Sequence, residues 1–240
     1  MDFAKVVDTV AGFLEREKTS FALAGAFALH AYGLSRGTFD IDFVTESAVR
    51  ERLAAFLESV GYETLHASSG YSNHLHPDPG MGRVDVIYVG GETSRLLFSG
   101  QGATLRLGRR ELPVPRAEHL AAMKIHAMKN DPERAFQEMA DIRFLLKLPG
   151  IDAEEVGATS RRPVCERSTM RSSDPSEGFD LERDLPTTAE DVAALRRARA
   201  LPPLDTDGYL RFLAQLPSPT LPELRARSGP KADPAFELVR

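Results

Sequence analysis

The sequence predicts an α/β (α+β) fold, with helices packed on a sheet and a helical extension at the C-terminus. Three observations carry this. Segments with apolar residues at helical spacing alternate with short runs rich in β-branched and aromatic residues. Two of those runs, "DIDFVT" and "RVDVIYV", read as strands. After residue 150 large aliphatic residues become scarce, and helical patterning resumes only near Thr187.

The elements follow in order. Residues 2–18 form a helix, because Phe3, Val6, Val7, Val10, Phe13 and Leu14 recur at helical spacing. "FALAGAFALHAYG" passes from a short apolar run, 21–24, through Gly25 into a small helix ending near Gly33. "DIDFVT" is the next strand. Residues 47–60 form an amphipathic helix through Val49, Leu53, Phe56, Leu57 and Val60, with Gly61 at the C-cap position. "SNHLHPDPG" reads as a strand entering a turn, and residues 83–89 as a further strand. "TLRLGRRELPVP" reads as a hairpin around Gly108, its second strand limited to an edge by Pro113 and Pro115. Helices over 116–129 and 133–147 follow, and Pro149-Gly150 stops the second.

Three regions are expected: a catalytic domain over 1–150, a polar linker or long loop over 151–186, and a helical, proline-rich extension over 187–240. The extension begins with a capping box, Thr187 and Glu190. Tyr209, Phe212, Leu213 and Leu216 mark a short helix in it.

Composition excludes several classes. The 240 residues are 42% hydrophobic and 27% charged, ordinary for a globular protein with a core. A net charge of -5 argues against a general nucleic-acid binder. Arg106, Arg109, Arg110 and Arg116 cluster around the hairpin, either to track an RNA backbone or as a solvated turn. Cys165 is the only cysteine, which excludes a disulfide framework within the chain and favours a reducing, cytoplasmic compartment. Residues 1–20 lack a signal-peptide pattern, and no stretch has the length of a membrane span. His66, His74 and His76 have no fourth ligand at convincing spacing, so no zinc is expected.

Asp40 and Asp42 stand one residue apart in the "DIDFVT" strand, so both project from one face while Ile41 and Phe43 point into the core. Two such carboxylates repel unless a cation joins them. Hard divalent ions accept carboxylate and phosphate oxygens together. The plain alternative is two solvated aspartates. Upstream, Gly25 opens a helix, where backbone N–H groups and the lack of a side chain suit a phosphate. Downstream, Asp85 lies in a second apolar strand. It reads either as a third carboxylate of a two-metal site or as the partner of Arg83.

This ordered set resembles the DNA polymerase β superfamily of nucleotidyltransferases in its minimal form. That family's signature is an apolar residue, Gly-Ser or Gly-Gly, a short spacer and Asp-apolar-Asp. Here it stands as "LAGAFALHAYGLSRGTFDIDFV". The segment "SRGTFDID" is similar to the Arg-x-Thr-x-Asp-apolar-Asp form of the bacterial abortive-infection (AbiEii-type) nucleotidyltransferase toxins. The resemblance spans residues 20–147 and departs from the pattern at Ala26, where Ser or Gly is usual.

The resemblance implies a polymerase-β-like fold with a mixed, mainly antiparallel sheet. It implies transfer of a nucleoside monophosphate from a nucleoside triphosphate such as ATP to an acceptor hydroxyl. Asp40 and Asp42 would hold a Mg²⁺ or Mn²⁺ ion carrying the triphosphate. Asp42 and Asp85 would hold a second ion, with Asp85 as general base. Gly25 and Ala26 would offer backbone donors, Arg36 would face the phosphates and Thr38 would orient the Asp40 segment. The toxin branch's lysine and following aspartate correspond to Lys124 and Asp141, with Lys129 as the competing lysine. A surface arginine, an ordinary strand threonine and surface charges are the alternatives for Arg36, for Thr38, and for Lys124, Lys129 and Asp141.

The implied acceptor is RNA, the 3′ end of tRNA in particular, in a toxin–antitoxin or phage-defence setting with a cognate antitoxin or toxin as partner. Two alternatives stand beside it. One is an antitoxin-like protein adenylyltransferase acting on a partner protein. The other is a catalytically idle nucleotide-binding module.

Overall fold

The computed structural model describes residues 1–100, 102–130 and 135–161, without the side chains of residues 129 and 130. Helix α1, Phe3–Arg16, starts at Asp2, whose carboxylate accepts from the Lys5 N–H at 3.0 Å. Strand β1, Phe21–Leu23, leads into helix α2, Gly25–Ala31, and then into strand β2, Asp40–Glu46. A short 3₁₀ turn opens helix α3, Arg50–Ser59. Gly61 ends it at φ +99°, a conformation that favours glycine. Strands β3, Glu63–Ala67, β4, Tyr71–Leu75, and β5, Arg83–Val89, follow. Then come helix α4, Gly91–Ser99, and a hairpin of β6, Thr104–Leu107, and β7, Arg110–Pro113. Helices α5, Ala117–Asn130, α6, Ala135–Leu145, and α7, Ala153–Ser160, complete the described chain.

The main sheet has the order β1-β2-β5-β4-β3. Only β2 and β5 run parallel; the other three pairings are antiparallel. This is the mixed, mainly antiparallel sheet that the resemblance implies. The larger core joins Ile41, Phe43, Val84, Val86 and Tyr88 of the sheet to Val6, Val10 and Leu14 of α1 and Leu53 and Leu57 of α3. Each such side chain removed from water contributes about 1.5–3 kcal/mol. A smaller cluster lies on the opposite strand faces. There Val44, Ile87 and Val89 meet Leu97 and Phe98 of α4 and Met123 of α5. Residue parity along β2 puts Val44 on the face of Asp40 and Asp42, so α4 and α5 cover the carboxylate side of the sheet.

Three elements depart from the sequence reading. Strand β3 is an edge strand with no fully buried residue and a register irregularity between Thr64 and His66, so it lacks clean alternation. Helix α4 buries only Ser94 and Leu97, too few for a periodic stripe. Helix α7 stands where the polar linker was expected to begin, and this corrects the boundary at residue 150. Asp152 caps α7 by accepting from the N–H groups of Glu154 and Glu155, and Val156 is fully buried in the main core. The helix restarting at Thr187, the apolar face of Tyr209, Phe212, Leu213 and Leu216, Cys165 and the remaining linker lie outside the described residues.

Candidate active site

The parallel pairing of β2 and β5 sets the site. In register, Asp40 lies opposite Arg83 and Asp42 opposite Asp85, while the intervening pairs Ile41–Val84 and Phe43–Val86 face the core. Asp40 and Asp42 are half-buried. The Thr38 hydroxyl donates to the Asp40 carboxylate and to its backbone carbonyl, so Thr38 fixes the first aspartate as the strand begins.

Gly25 packs directly against the second. Its backbone lies at φ +57°, and a Cβ there would stand 1.8 Å from Asp42 Oδ2. No other residue type fits without moving the carboxylate. The N–H of neighbouring Ala24 donates to the Asp42 carbonyl at 2.9 Å, which holds the β1–α2 junction onto β2. The first turn of α2 and the Asp40–Asp42 pair therefore form one surface. Ala26 is buried, 2% exposed.

Asp85 has a different environment. Arg83 Nε donates to its Oδ1 and Arg83 Nη2 to its Oδ2, each at 2.7 Å, and the Tyr71 hydroxyl donates to Oδ2 at 2.7 Å. The Asn73 amide supports Tyr71 at 3.1 Å. Both side chains of the pair are 5% exposed. Burial raises the Tyr71 hydroxyl well above its ordinary pKa, and the Asp85 charge raises it further, so Tyr71 stays a donor. Of the two sequence readings for Asp85, the geometry is that of the Arg83 pair. Both Asp85 oxygens already accept hydrogen bonds, Oδ1 from Arg83 and Oδ2 from Arg83 and Tyr71, so a role as metal ligand or general base would compete with the Arg83 pair. Among the described residues, no three His, Cys, Asp or Glu side chains converge as a metal cage. Asp40 and Asp42 by themselves fit one hard cation: two carboxylates on one strand face, beside a glycine backbone that leaves room for a ligand.

Helices α5 and α6 supply a second polar cluster. Lys124 Nζ lies 2.9 Å from Glu138 Oε2 and 2.8 Å from Asp141 Oδ2. All three are buried. Arg36, just upstream of Asp40, reaches Asp141 Oδ2 at 3.5 Å. The structure thus brings Arg36, Lys124 and Asp141 together, and Arg36 ties them to the start of β2. These positions are not surface charges. Glu138 escaped the sequence reading, although its i,i+3 spacing from Asp141 is the signal that puts both on one face of α6. Tyr71 and Asn73 also escaped it, because their role depends on the pairing of β4 with β5. The Lys129 side chain lies outside the described residues.

The hairpin arginines are largely engaged within the chain. Arg109 and Arg110 pair with Asp8 at 3.1 and 2.5 Å, Arg110 also with Glu15 at 2.7 Å, and Arg116 grips both oxygens of Glu155 at 2.9 and 2.7 Å. Arg109 nevertheless remains 81% exposed, and Arg106 is exposed. His74 is fully buried between Ser72 and Thr64, with nitrogens 2.8 and 3.1 Å from their hydroxyls.

No protein-family model matches the chain, and no curated protein matches it in sequence. Solved structures do match. The solution structure of the antibiotic-resistance factor ANT(2″)-Ia is 14% identical, covers 67% of this chain and 91% of its own, and has a TM-score of 0.50. ANT(2″)-Ia in complex with adenylyl-2″-tobramycin is 14% identical over 65% of this chain and 94% of its own, with a TM-score of 0.48. The lincosamide antibiotic adenylyltransferase LnuA, lincomycin-bound, is 16% identical over 60% of this chain and 96% of its own, with a TM-score of 0.42. At such identities a likeness speaks for architecture, and the first of these carries it: the chain has the nucleotidyltransferase fold.

Proposed function

We propose that the chain is a metal-dependent nucleotidyltransferase, moving a nucleoside monophosphate from a triphosphate to an acceptor hydroxyl. The observation that carries this reading is the Asp40–Asp42 pair on β2 with the Gly25 backbone against the Asp42 carboxylate. Mg²⁺ or Mn²⁺, held by Asp40 and Asp42, would neutralise triphosphate oxygens. Thr38 orients Asp40 for that task. The N–H groups at Gly25 and Ala26 would donate to the phosphates, and Arg36, held by Asp141 beside Lys124, would face them. The acceptor oxygen bonds to the α-phosphorus, the bond from that phosphorus to the bridging oxygen breaks, pyrophosphate leaves and the hydroxyl proton passes to water. Positioning and charge neutralisation carry such a reaction.

For the acceptor we favour RNA, the 3′ end of tRNA, in a toxin–antitoxin or phage-defence setting. The support is the Arg36-x-Thr38-x-Asp40-x-Asp42 string together with the close approach of Lys124 and Asp141, the two positions the toxin-like pattern singles out. A small hydroxylated antibiotic is the second reading, supported by the likeness to ANT(2″)-Ia across 91% of that chain. No described helix is long and apolar enough to cross a membrane, and action in the cytoplasm belongs to the same proposal. Incubation with Mg²⁺ and each labelled triphosphate, plus total RNA, cell lysate or an antibiotic panel, tests it. Label in RNA supports the favoured acceptor. Label in an antibiotic or a protein band reassigns it, and no transfer anywhere leaves an idle nucleotide-binding module.

The catalytic part should separate from residues beyond Arg161 but not from α7. Ending the chain after Gly150 removes the buried Val156 and the carboxylate that clasps Arg116. A chain of residues 1–161 is expected to bind nucleotide in calorimetry, whereas one of residues 1–150 should melt at lower temperature. Equal melting temperatures would show that α7 contributes nothing.

A further inference from the structure

Three carboxylates, Asp40, Asp42 and Asp85, share one face of β2 and β5. Arg83 stands among them. It is the register partner of Asp40 and makes a two-pronged pair with Asp85 at 2.7 Å on each arm. Its side chain and that of Asp85 are each 5% exposed, so the guanidinium is a fixed cation walled off from water. Three negative groups and one positive group leave a local charge of -2, which one divalent ion neutralises. A second ion would need an oxygen of Asp85, and both oxygens already accept hydrogen bonds, Oδ1 from Arg83 and Oδ2 from Arg83 and Tyr71. Displacing Arg83 would strand a buried guanidinium beside a cation. Arginine cannot shed its proton to escape.

We propose that the site takes one divalent cation, on Asp40 and Asp42, and that the Arg83 guanidinium fills the place of a second ion. This rests on the nucleotidyl-transfer reading for the presence of any ion. Asp85 then acts as a positioning residue: it anchors Arg83, and Tyr71 and Asn73 anchor Asp85 in turn. The guanidinium supplies permanent positive charge that neither chelators nor metal depletion remove.

The full chain is titrated with Mn²⁺ in the presence of a saturating α,β-methylene ATP analogue. Free Mn²⁺ is followed by electron paramagnetic resonance, and nucleotide binding is measured separately by calorimetry. One Mn²⁺ per chain–nucleotide complex is expected, held more tightly than in the nucleotide-only control because Asp40 and Asp42 add their oxygens. Asp85→Asn should leave that ion as tight and the count at one, and Asp42→Asn should weaken it to the nucleotide-only affinity. Arg83→Gln should open a second site and raise the count to two. Two ions on the wild-type chain, falling to one in Asp85→Asn, would overturn the proposal and leave the nucleotidyl-transfer reading standing. An ion held no more tightly than by the nucleotide alone would overturn both. The wild-type count and the Asp85→Asn count decide the matter even if Arg83→Gln does not fold.

Discussion

Strands β2 and β5 lie side by side, in parallel and in register, and carry nearly the same sequence pattern, Asp-Ile-Asp-Phe against Arg-Val-Asp-Val. Their inward residues are interchangeable in kind: Ile41 with Val84, Phe43 with Val86. Their outward residues have diverged in role. Asp42 is half-buried, with the α2 glycine against its carboxylate, whereas Asp85 is sealed under Arg83 and Tyr71. Where β2 carries the Asp40 carboxylate, β5 carries Arg83, and this guanidinium holds both oxygens of Asp85. The chemistry of an aspartate in a sheet is therefore set by its cross-strand neighbour as much as by its own strand.

The sharpest way to break this comparison is to remove the carboxylates one at a time. Asp42→Ala is expected to lower transfer by about a thousandfold or more, because an electrostatic contact to the reacting phosphates disappears. Asp40→Ala should do the same. Without metal, each should cost less stability than Asp85→Ala, since each removes a member of a repelling pair. Activity assays and metal-free urea unfolding read the two halves, and full activity in either variant would sink the site assignment.

Asp85→Ala should show the opposite profile. It leaves Arg83 buried without its counter-charge, which costs about 3–5 kcal/mol of stability. Urea unfolding in the absence of metal should separate it clearly from Asp42→Ala. If both variants unfold at the same midpoint, the two strands do not differ as described.

The opposite face of the same sheet, at His74 on β4, sharpens the comparison through pH. Burial pushes the His74 imidazole from the ordinary 6.5 down to about 4, partly opposed by the charge of Glu58. The unfolded chain takes up a proton near pH 6.5, and the folded chain does not until about pH 4. Stability from the neutral ring is therefore complete above pH 6.5 and is lost as pH falls toward 4. At pH 5 the loss is about 2 kcal/mol. His74→Gln, which can still bond Ser72, should remove this acid sensitivity, so its stability relative to wild type should rise between pH 7.5 and pH 5. A difference that stays constant with pH would mean the ring is not held neutral.

The elements with strong periodicity were legible: α1 through its apolar stripe, and β2 and β5 through β-branched runs. Asp40, Asp42 and Gly25 were legible as candidates because their spacing is local. Lys124 and Asp141 were named only through a resemblance, and their contact depends on how α5 packs on α6. The fate of Asp85 was not decidable along the chain. Both its readings used residues in view, but the deciding partner Tyr71 enters only when β4 pairs with β5. Helix α7 was missed despite a readable capping signature, Asp152 with Glu155, because the polar stretch that follows dominated the composition.

The smallest expected effect falls at the edge of the β2 surface. Ala26 is the second residue of α2, next to the glycine that contacts Asp42, and it occupies the position where the resembling family carries Ser or Gly. At 2% exposure its side chain leaves little room, so an added hydroxyl must find a partner close by. In the nucleotide complex the nearest partner on this reading is a phosphate oxygen, and a hydrogen bond there contributes about 1 kcal/mol, or roughly fivefold in affinity. Ala26→Ser should therefore fold normally and bind nucleotide somewhat more tightly in a calorimetric titration. If the hydroxyl instead points into the core, stability falls while affinity stays level. Affinity and stability both unchanged would place the phosphates away from the start of α2.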